Sequence, residues 1–327
     1  MRLRKLFYGA LAVLFACSLL LITAQQTFAG YPERPITVLC WSSPGAPNDL
    51  LARQIAKTGE KYFGQRMSVV TKRGGGGSVL MGYMLQQKAD GHTLSTSTAS
   101  MPISMASGRI PFKPSDFTHI MRIQTDPFMI AVRSDSPFNN LPDFFAYAQK
   151  NPGKLSISGF GTASAHFLAF SRLKTIVGDP DIRWVAYEGG SDAAVACLGG
   201  HTDAVHTNWS VVGEHKKAGK MKILSTSIES SAAPDVKTYK QQGYDLAPVH
   251  WRGFMGPKGI PSDVVKQIRA FMEKLVADPE FKTYMKNAGA EYGLMESQEA
   301  FQTFVEEEVK SYREVMQKLG LLEKKKK

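Results

Sequence analysis

Cysteine is scarce in this chain: Cys17, Cys40 and Cys197 are its only three in 327 residues. Cys17 falls in an N-terminal apolar stretch. The other two fall in unlike contexts, at the end of a strand pattern and of a helix pattern. A disulfide is open to them in an oxidising compartment, but those contexts favour two free, buried thiols. Catalytic signatures are missing too. There is no Gly-x-Ser-x-Gly elbow, no compelling carboxylate pair, and no nucleophile with an arranged base; Cys197 lacks a histidine set against it. Gly74-Gly75-Gly76-Gly77-Ser78 lacks the Lys-Ser/Thr pair that grips phosphate and Mg²⁺, so it reads as a tight strand-to-helix turn. His201, Asp203 and His206 lie close together, yet in a strand positions 201 and 203 share a face while 206 points away. No metal or other cofactor is therefore expected. Aromatic residues are scattered rather than interleaved with Lys and Arg, so no nucleic-acid surface is indicated. No internal repeat is strong enough to claim.

What is present begins with a leader. Arg2, Arg4 and Lys5 precede an apolar run over 6–24, and Thr27-Phe28-Ala29 offers a small-x-small site. This predicts a signal peptide over 1–29, cleaved before Gly30, and export of the rest. An uncleaved anchor is the alternative, because about 20 apolar residues span a bilayer. Lipidation of Cys17 is disfavoured by bulky Phe15 before it and the apolar residues 19–22 after it. Removing the three basic residues of the leader lowers the formal charge from +11 to +8. A basic surface raises the encounter rate of anions, and it equally suits a protein that lies beside anionic membranes.

Strand-like and helix-like patterns alternate: strand 36–41, helix 48–63, strand 67–71, helix 78–88, strand 93–97. After Pro127 they continue as strand 128–132, helix 141–150, strand 155–158, helix 163–177, strand 183–186, helix 192–198, strand 202–207, helix 211–217 and strand 221–225. The last quarter is mostly helical, at 262–277, 279–288 and 297–319. Such alternation means an α/β protein with parallel sheets and helices on both faces. Two sheets require a boundary, which the chain is expected to cross at Thr125-Asp126-Pro127 and recross within 248–253. The expected domains are 30–126 and 127–250, with 251–327 returning to the first.

Two strand-to-helix loops carry the functional signal. Trp41-Ser42-Ser43-Pro44-Gly45-Ala46-Pro47-Asn48-Asp49 follows the first strand. Gly159-Phe160-Gly161-Thr162-Ala163-Ser164-Ala165-His166 follows a strand of the second half. Both are rich in Gly, Ala and hydroxyl residues and poor in formal charge, and both open helices. A helix N-terminus presents unpaired N–H groups and partial positive charge, so the pair suggests a clamp for carboxylates. Ser97-Thr98-Ala99-Ser100 places hydroxyls at a C-terminal strand end, where open α/β sheets bind ligands. His166 reads as packing or a hydrogen bond to its own loop rather than as a catalytic base.

Several segments carry a resemblance. Tyr31-Pro32-Glu33-Arg34-Pro35-Ile36 resembles the mature start of the tripartite tricarboxylate transporter receptors, the Bug/TctC-type periplasmic solute-binding proteins. Ala89-Asp90-Gly91-His92-Thr93-Leu94 is similar to their PDGYTL signature. Pro152-Gly153-Lys154-Leu155 with the following loop is similar to their second ligand loop. Tyr187-Glu188-Gly189-Gly190 and Leu198-Gly199-Gly200-His201-Thr202-Asp203 resemble PYKGG…LLGGQVD. Gly256-Pro257-Lys258-Gly259-Ile260-Pro261 resembles the AP-x-G-x-P segment. In this order and at these spacings the set is specific, and it covers essentially the whole mature chain.

The resemblance implies a two-domain periplasmic binding protein type II-like fold. Each domain is then a mixed, mainly parallel sheet flanked by helices, with the ligand cleft between the domains. It implies that both loops hold a carboxylate through backbone N–H groups, hydroxyls and water. Ser43, Gly45, Ala46 and Asn48 are nominated in the first loop, and Gly161, Thr162, Ala163 and Ser164 in the second. Ser42, Ser97, Ser100 and Asn208 complete the candidates. The first loop departs from the family run Phe-Pro-Ala-Gly-Gly-x-Thr-Asp: Ser42 replaces the Phe, Ala46 the second Gly, and Asn48 the Thr. The ligand class transfers better than its identity.

The reading is a periplasmic binding receptor rather than an enzyme: it captures a small organic carboxylate and hands it to integral-membrane transporter subunits, as a monomer. Four or five hydrogen bonds to an ionised ligand total about 6–15 kcal/mol before ordering costs, so no arginine clamp is required. A periplasmic sensor for a signalling receptor, and an α/β hydrolase or transferase, are the competing classes.

Overall fold

A parallel ladder begins the first sheet. β1 (Ile36–Cys40) pairs with β2 (Met67–Thr71) on one side and with β3 (Thr93–Thr98) on the other. β1 is covered on both faces and is buried apart from Thr37, while β2 at the sheet edge is largely open to solvent. β10 (Val249–Pro257) runs antiparallel to both β3 and β4 (Phe117–Pro127), and β11 (Glu291–Tyr292) runs antiparallel to β4. The order is β11-β4-β10-β3-β1-β2. β1 to β4 point one way; β10 and β11 point the other.

The second sheet has the order β7-β6-β8-β5-β9, from β5 (Met129–Arg133), β6 (Leu155–Phe160), β7 (Ile182–Tyr187), β8 (Ala204–Thr207) and β9 (Met221–Thr226). β5 alone runs against the others. Both sheets are thus mixed but mainly parallel in strand direction, with helices on their faces.

The computed structural model describes residues 30–322 except Ser43, Arg109, Ala163 and Glu188. The expected leader and the terminal lysines lie outside the described residues. The chain divides after Glu33, and from Arg34 onward it is one unit holding both sheets. None of its described helices is long and apolar enough to cross a membrane.

The helices are α1 (Pro47–Phe63), α2 (Ser78–Met84), α3 (Ser100–Ser107), α4 (Leu141–Lys150), α5 (Ala165–Ile176), α6 (Gly190–Leu198), α7 (Trp209–Lys217), α8 (Ser262–Ala277), α9 (Pro279–Ala288) and α10 (Gln298–Lys318). Several coincide with the sequence patterns, because amphipathic spacing and caps are local. Asn140 caps α4 by accepting from Asp143 N–H at 2.8 Å, and Asp278 caps α9 by accepting from Glu280 N–H at 2.8 Å. The helix expected over 78–88 ends at Met84; its last turn tightens through Gln86 N–H to Tyr83 O and Gln87 N–H to Met84 O.

Three elements carried no readable signal. α3 has Pro102 in its first turn and is buried almost all round, so it shows no amphipathic stripe. β4 is buried on both faces and lacks alternation. β10 contains Arg252 and Gly253, and its pairing with β4 shifts register after Arg252 and again after Phe254, which breaks the two-residue period.

The second sheet has its own core around Phe144, Phe170 and Tyr239. Another cluster joins the two sheets: Phe128, Leu168, Trp251, Phe301, Val305 and Met316 bring β10, α5 and α10 together. Trp251 meets Phe301 edge-on at 5.4 Å between centroids, an arrangement worth about 0.5–1.5 kcal/mol beyond burial. The chain leaves the first sheet at Pro127, enters the second at Met129, and returns by β10, whose Val249 lies opposite Pro127.

Candidate functional site

β1 ends at Cys40, and the loop turns at Gly45, whose φ of 78° lies in the left-handed region open to glycine. Gly45 N–H donates to Asp49 Oδ2 at 2.9 Å, and Arg53 Nε donates to the same oxygen at 2.8 Å. The hydrogen bond from Arg53 holds the buried Asp49 carboxyl below its ordinary range, against the opposing effect of burial. The loop is thereby tied to the helix it precedes. Pro47 in the first turn of α1 has no N–H, and the first helical bond runs from Leu50 N–H to Ala46 O at 3.0 Å. Helix geometry therefore leaves the N–H groups of Asn48 and Asp49 without intrahelical partners.

Ser42, Ala46 and Asn48 line a cavity of about 680 Å³ between the two sheets. Four more helix starts reach the same cavity, each at the C-terminal end of a strand. Thr98 and Ser100 come from the start of α3, Phe160 and His166 flank the start of α5, and Gly189 and Gly190 open α6. Asn208 occupies the position before α7 without capping it by its side chain, with Ser210 and Val211 in the first turn. Five helix N-termini thus line one space, and each contributes partial positive charge.

The floor is made by the strands that join the sheets. Gln124 and Asp126 of β4, His250 and Arg252 of β10, and Tyr284 of α9 all line the cavity. Arg252 Nη1 donates to Asp126 Oδ2, and Gln124 Nε2 donates to Asp126 Oδ1 at 2.8 Å. Burial alone would push the Asp126 carboxyl up; Arg252, with His250 and Gln124, outweighs it and brings it down to about 2. These two are the only formally charged side chains among the described lining residues, and they neutralise each other. Burial raises the Tyr284 hydroxyl to about 12.

His166, His206 and His250 surround Phe128, with ring centroids 4.9, 5.1 and 6.4 Å from it. Burial lowers all three, His206 to about 3 and His166 well below its ordinary value, so they are neutral at pH 7; Asp126 partly opposes the effect at His250. The cavity residues Trp41, Asn48, Gln124, His166, His250 and Arg252 each hold a buried polar atom without a hydrogen-bond partner.

Of the residues nominated from sequence, the structure brings Ser42, Ala46, Asn48, Ser100 and Asn208 to this cavity. Asn208 Nδ2 also donates to Pro127 O at 2.8 Å, which ties α7 to the crossing between sheets. Gly45 is exposed on its loop, and Ser97 is buried in β3 away from the cavity wall. Ser43 and Ala163 lie outside the described residues.

The second loop is arranged differently from expectation. Gly161 N–H is taken by Tyr187 O at 3.0 Å, and Gly161 O accepts from Trp184 Nε1 at 2.9 Å. Ser164 caps α5, accepting from Phe167 N–H at 3.2 Å and donating to Phe160 O. Thr162 is exposed. None of these three lines the cavity; Phe160 and His166 do. His166 packs as expected and faces the cavity as well. Arg252, absent from the candidates, lies in the floor. No local pattern announces it, because its partner Asp126 is 126 residues away.

Among the described residues no group of three His, Cys, Asp or Glu is placed to hold a metal ion. Cys40 and Cys197 are free and buried.

Two α/β sheets joined by an antiparallel strand pair, with a ligand-sized cavity lined by helix starts, define a solute-binding protein. The tripartite tricarboxylate transporter family receptor description matches residues 51–321. The chain belongs to that family, whose members are binding receptors and not enzymes. A UPF0065 protein in the gbd 5′ region of Cupriavidus necator is 30% identical over 96% of each chain. A TctC solute-binding protein from Polaromonas, solved without ligand, is 26% identical, with a TM-score of 0.80 over 88% of this chain and 99% of that one. Two more distant structures share the fold at 22% identity. MatC of Rhodopseudomonas palustris with bound malate has a TM-score of 0.69 over 87% of this chain and 99% of that one. A second protein of that organism with adipate has 0.72 over 89% and 98%.

Proposed function

We propose that this protein is a periplasmic receptor that captures a small organic carboxylate in the cavity and delivers it to the membrane subunits of a tripartite tricarboxylate-type transporter. One observation carries the ligand class: five helix N-termini converge on a cavity whose formal charges cancel. Backbone dipoles then set the field, and an anion is the complementary occupant. Trp41, Leu50, Phe160 and Val211 offer apolar surface for its carbon frame. The malate and adipate complexes are of the same fold; at their distance the ligand class rests on the cavity of this chain.

The finer reading is a monomer, released by cleavage before Gly30, with 127–250 closing against 30–126 and 251–327 about the paired strands β4 and β10. A ligand that touches both walls binds the closed form better, and only that difference shifts the balance. Sequencing the N-terminus of periplasmic material tests the cleavage.

Thermal unfolding tests the ligand class. A carboxylate at 100 times Kd should stabilise the protein by about 2.7 kcal/mol, which raises Tm by about 5–10 °C at roughly 2–4 °C per kcal/mol. Neutral amides of the same acids should have no effect. Stabilisation by sugars or cationic amines and not by carboxylates would overturn the reading.

A further inference from the structure

The helix starts offer N–H donors to the cavity, with Asn48 Oδ1 a buried acceptor among them. The corner where β4 meets β10 holds acceptors beside one unpartnered donor, Arg252 Nε. Gln124 Nε2 donates to Asp126 Oδ1 at 2.8 Å, which fixes the amide orientation and leaves Gln124 Oε1 as an acceptor. That oxygen is buried and has no partner, and Gln124 itself is 1% exposed. Asp126 accepts from Gln124 and Arg252, so its carboxylate keeps further accepting capacity. His250 Nδ1 stands 3.8 Å from Asp126 Oδ2, too far for a hydrogen bond, and is unpartnered. All of these side chains line the cavity.

A ligand bearing carboxylates alone offers this corner no donor at neutral pH, and a buried acceptor without a donor keeps its desolvation cost. We propose that the ligand is a hydroxy-carboxylate, its hydroxyl donating to Gln124 Oε1 while its carboxylate lies at the helix starts. This rests on the carboxylate reading above and names the second group that the cavity recognises. A neutral hydroxyl fits better than an ammonium. Arg252 cancels the charge of Asp126, so the corner has no net negative charge to offset the burial of a cation.

Calorimetry on the mature chain with matched acids tests this: succinate against malate, adipate against 3-hydroxyadipate, and benzoate against 3-hydroxybenzoate, with aspartate as the ammonium counterpart of malate. In the best-fitting pair the hydroxylated acid should bind at least tenfold tighter, and aspartate should bind no tighter than malate. In Gln124→Leu or Gln124→Met the ratio within that pair should fall to below about threefold. Equal affinities within every pair overturn the inference while leaving the carboxylate reading intact, and so does a tenfold preference that survives both substitutions. A preference for aspartate over malate overturns the neutral-donor assignment. Binding by none of the acids overturns the carboxylate reading itself. The wild-type ratios alone decide the matter if neither variant folds.

Discussion

His250 stands directly opposite Asp126 in the antiparallel ladder between β4 and β10. The same register sets Val249 opposite Pro127, so both strands that join the sheets run side by side. They also form the cavity floor. Ligand contact and any movement between sheets therefore share one pair of strands.

The Asp126–Arg252 pair should behave as a buried ion pair, since its side chains are 11% and 8% exposed. Asp126→Leu leaves Arg252 uncompensated and should cost about 3–5 kcal/mol in urea unfolding. The double change Asp126→Leu, Arg252→Met should recover most of that loss. Equal destabilisation by the single and double variants would show that packing, not charge, dominates there.

Acid should weaken the fold before its carboxylates titrate. Burial lowers His119 to about 4 and His206 to about 3, so the native state refuses protons that the unfolded chain accepts below about pH 6.5. Stability contributed by such groups is complete above the unfolded value and is lost as pH falls toward the folded ones, at up to about 1.4 kcal/mol per pH unit for each histidine. The contribution of Asp126, lowered to about 2, is retained until pH drops below about 4. Chemical unfolding at pH 7.5 and pH 5 should show the fall, and His206→Phe should make the slope shallower by about one proton. An unchanged slope in that variant would remove His206 from the account.

Phe160 lines the cavity yet is 43% exposed. Phe160→Ala should therefore change stability by less than about 1 kcal/mol, while ligand affinity falls at least about fivefold. Gly161→Val next to it should do the reverse. With φ of 61° and an N–H already used by Tyr187, it strains the loop by about 1–2 kcal/mol. Calorimetry and melting on the two variants separate these effects.

Gly289 ends α9 at φ 61°, where an added Cβ would lie 2.2 Å from Trp209 Cδ1. Trp209 opens α7 beside the cavity residues Asn208 and Ser210. Gly289→Ala should cost more than about 1 kcal/mol and should also weaken ligand binding, because Trp209 must move. Loss of stability with unchanged affinity would uncouple this contact from the site.

Local chemistry made much of this protein legible. Pro47 at a helix start and the amphipathic spacing of most helices depend on residues a few positions apart, so those helices could be read directly, whereas the hydrogen bonds that occupy Gly161 and Ser164 in the second loop could not. Ordered motifs placed the chain in its family. Strand alternation explains the finer misses: Thr98 faces the cavity while its neighbour Ser97 does not, and one residue of register separates them. The bulged ladder of β10 hid that strand, and with it Arg252 and His250. Nor does any single loop reveal that five helix starts share one cavity. That convergence follows from strands of two sheets ending at the same place, a condition set by sheet order and pairing over more than a hundred residues.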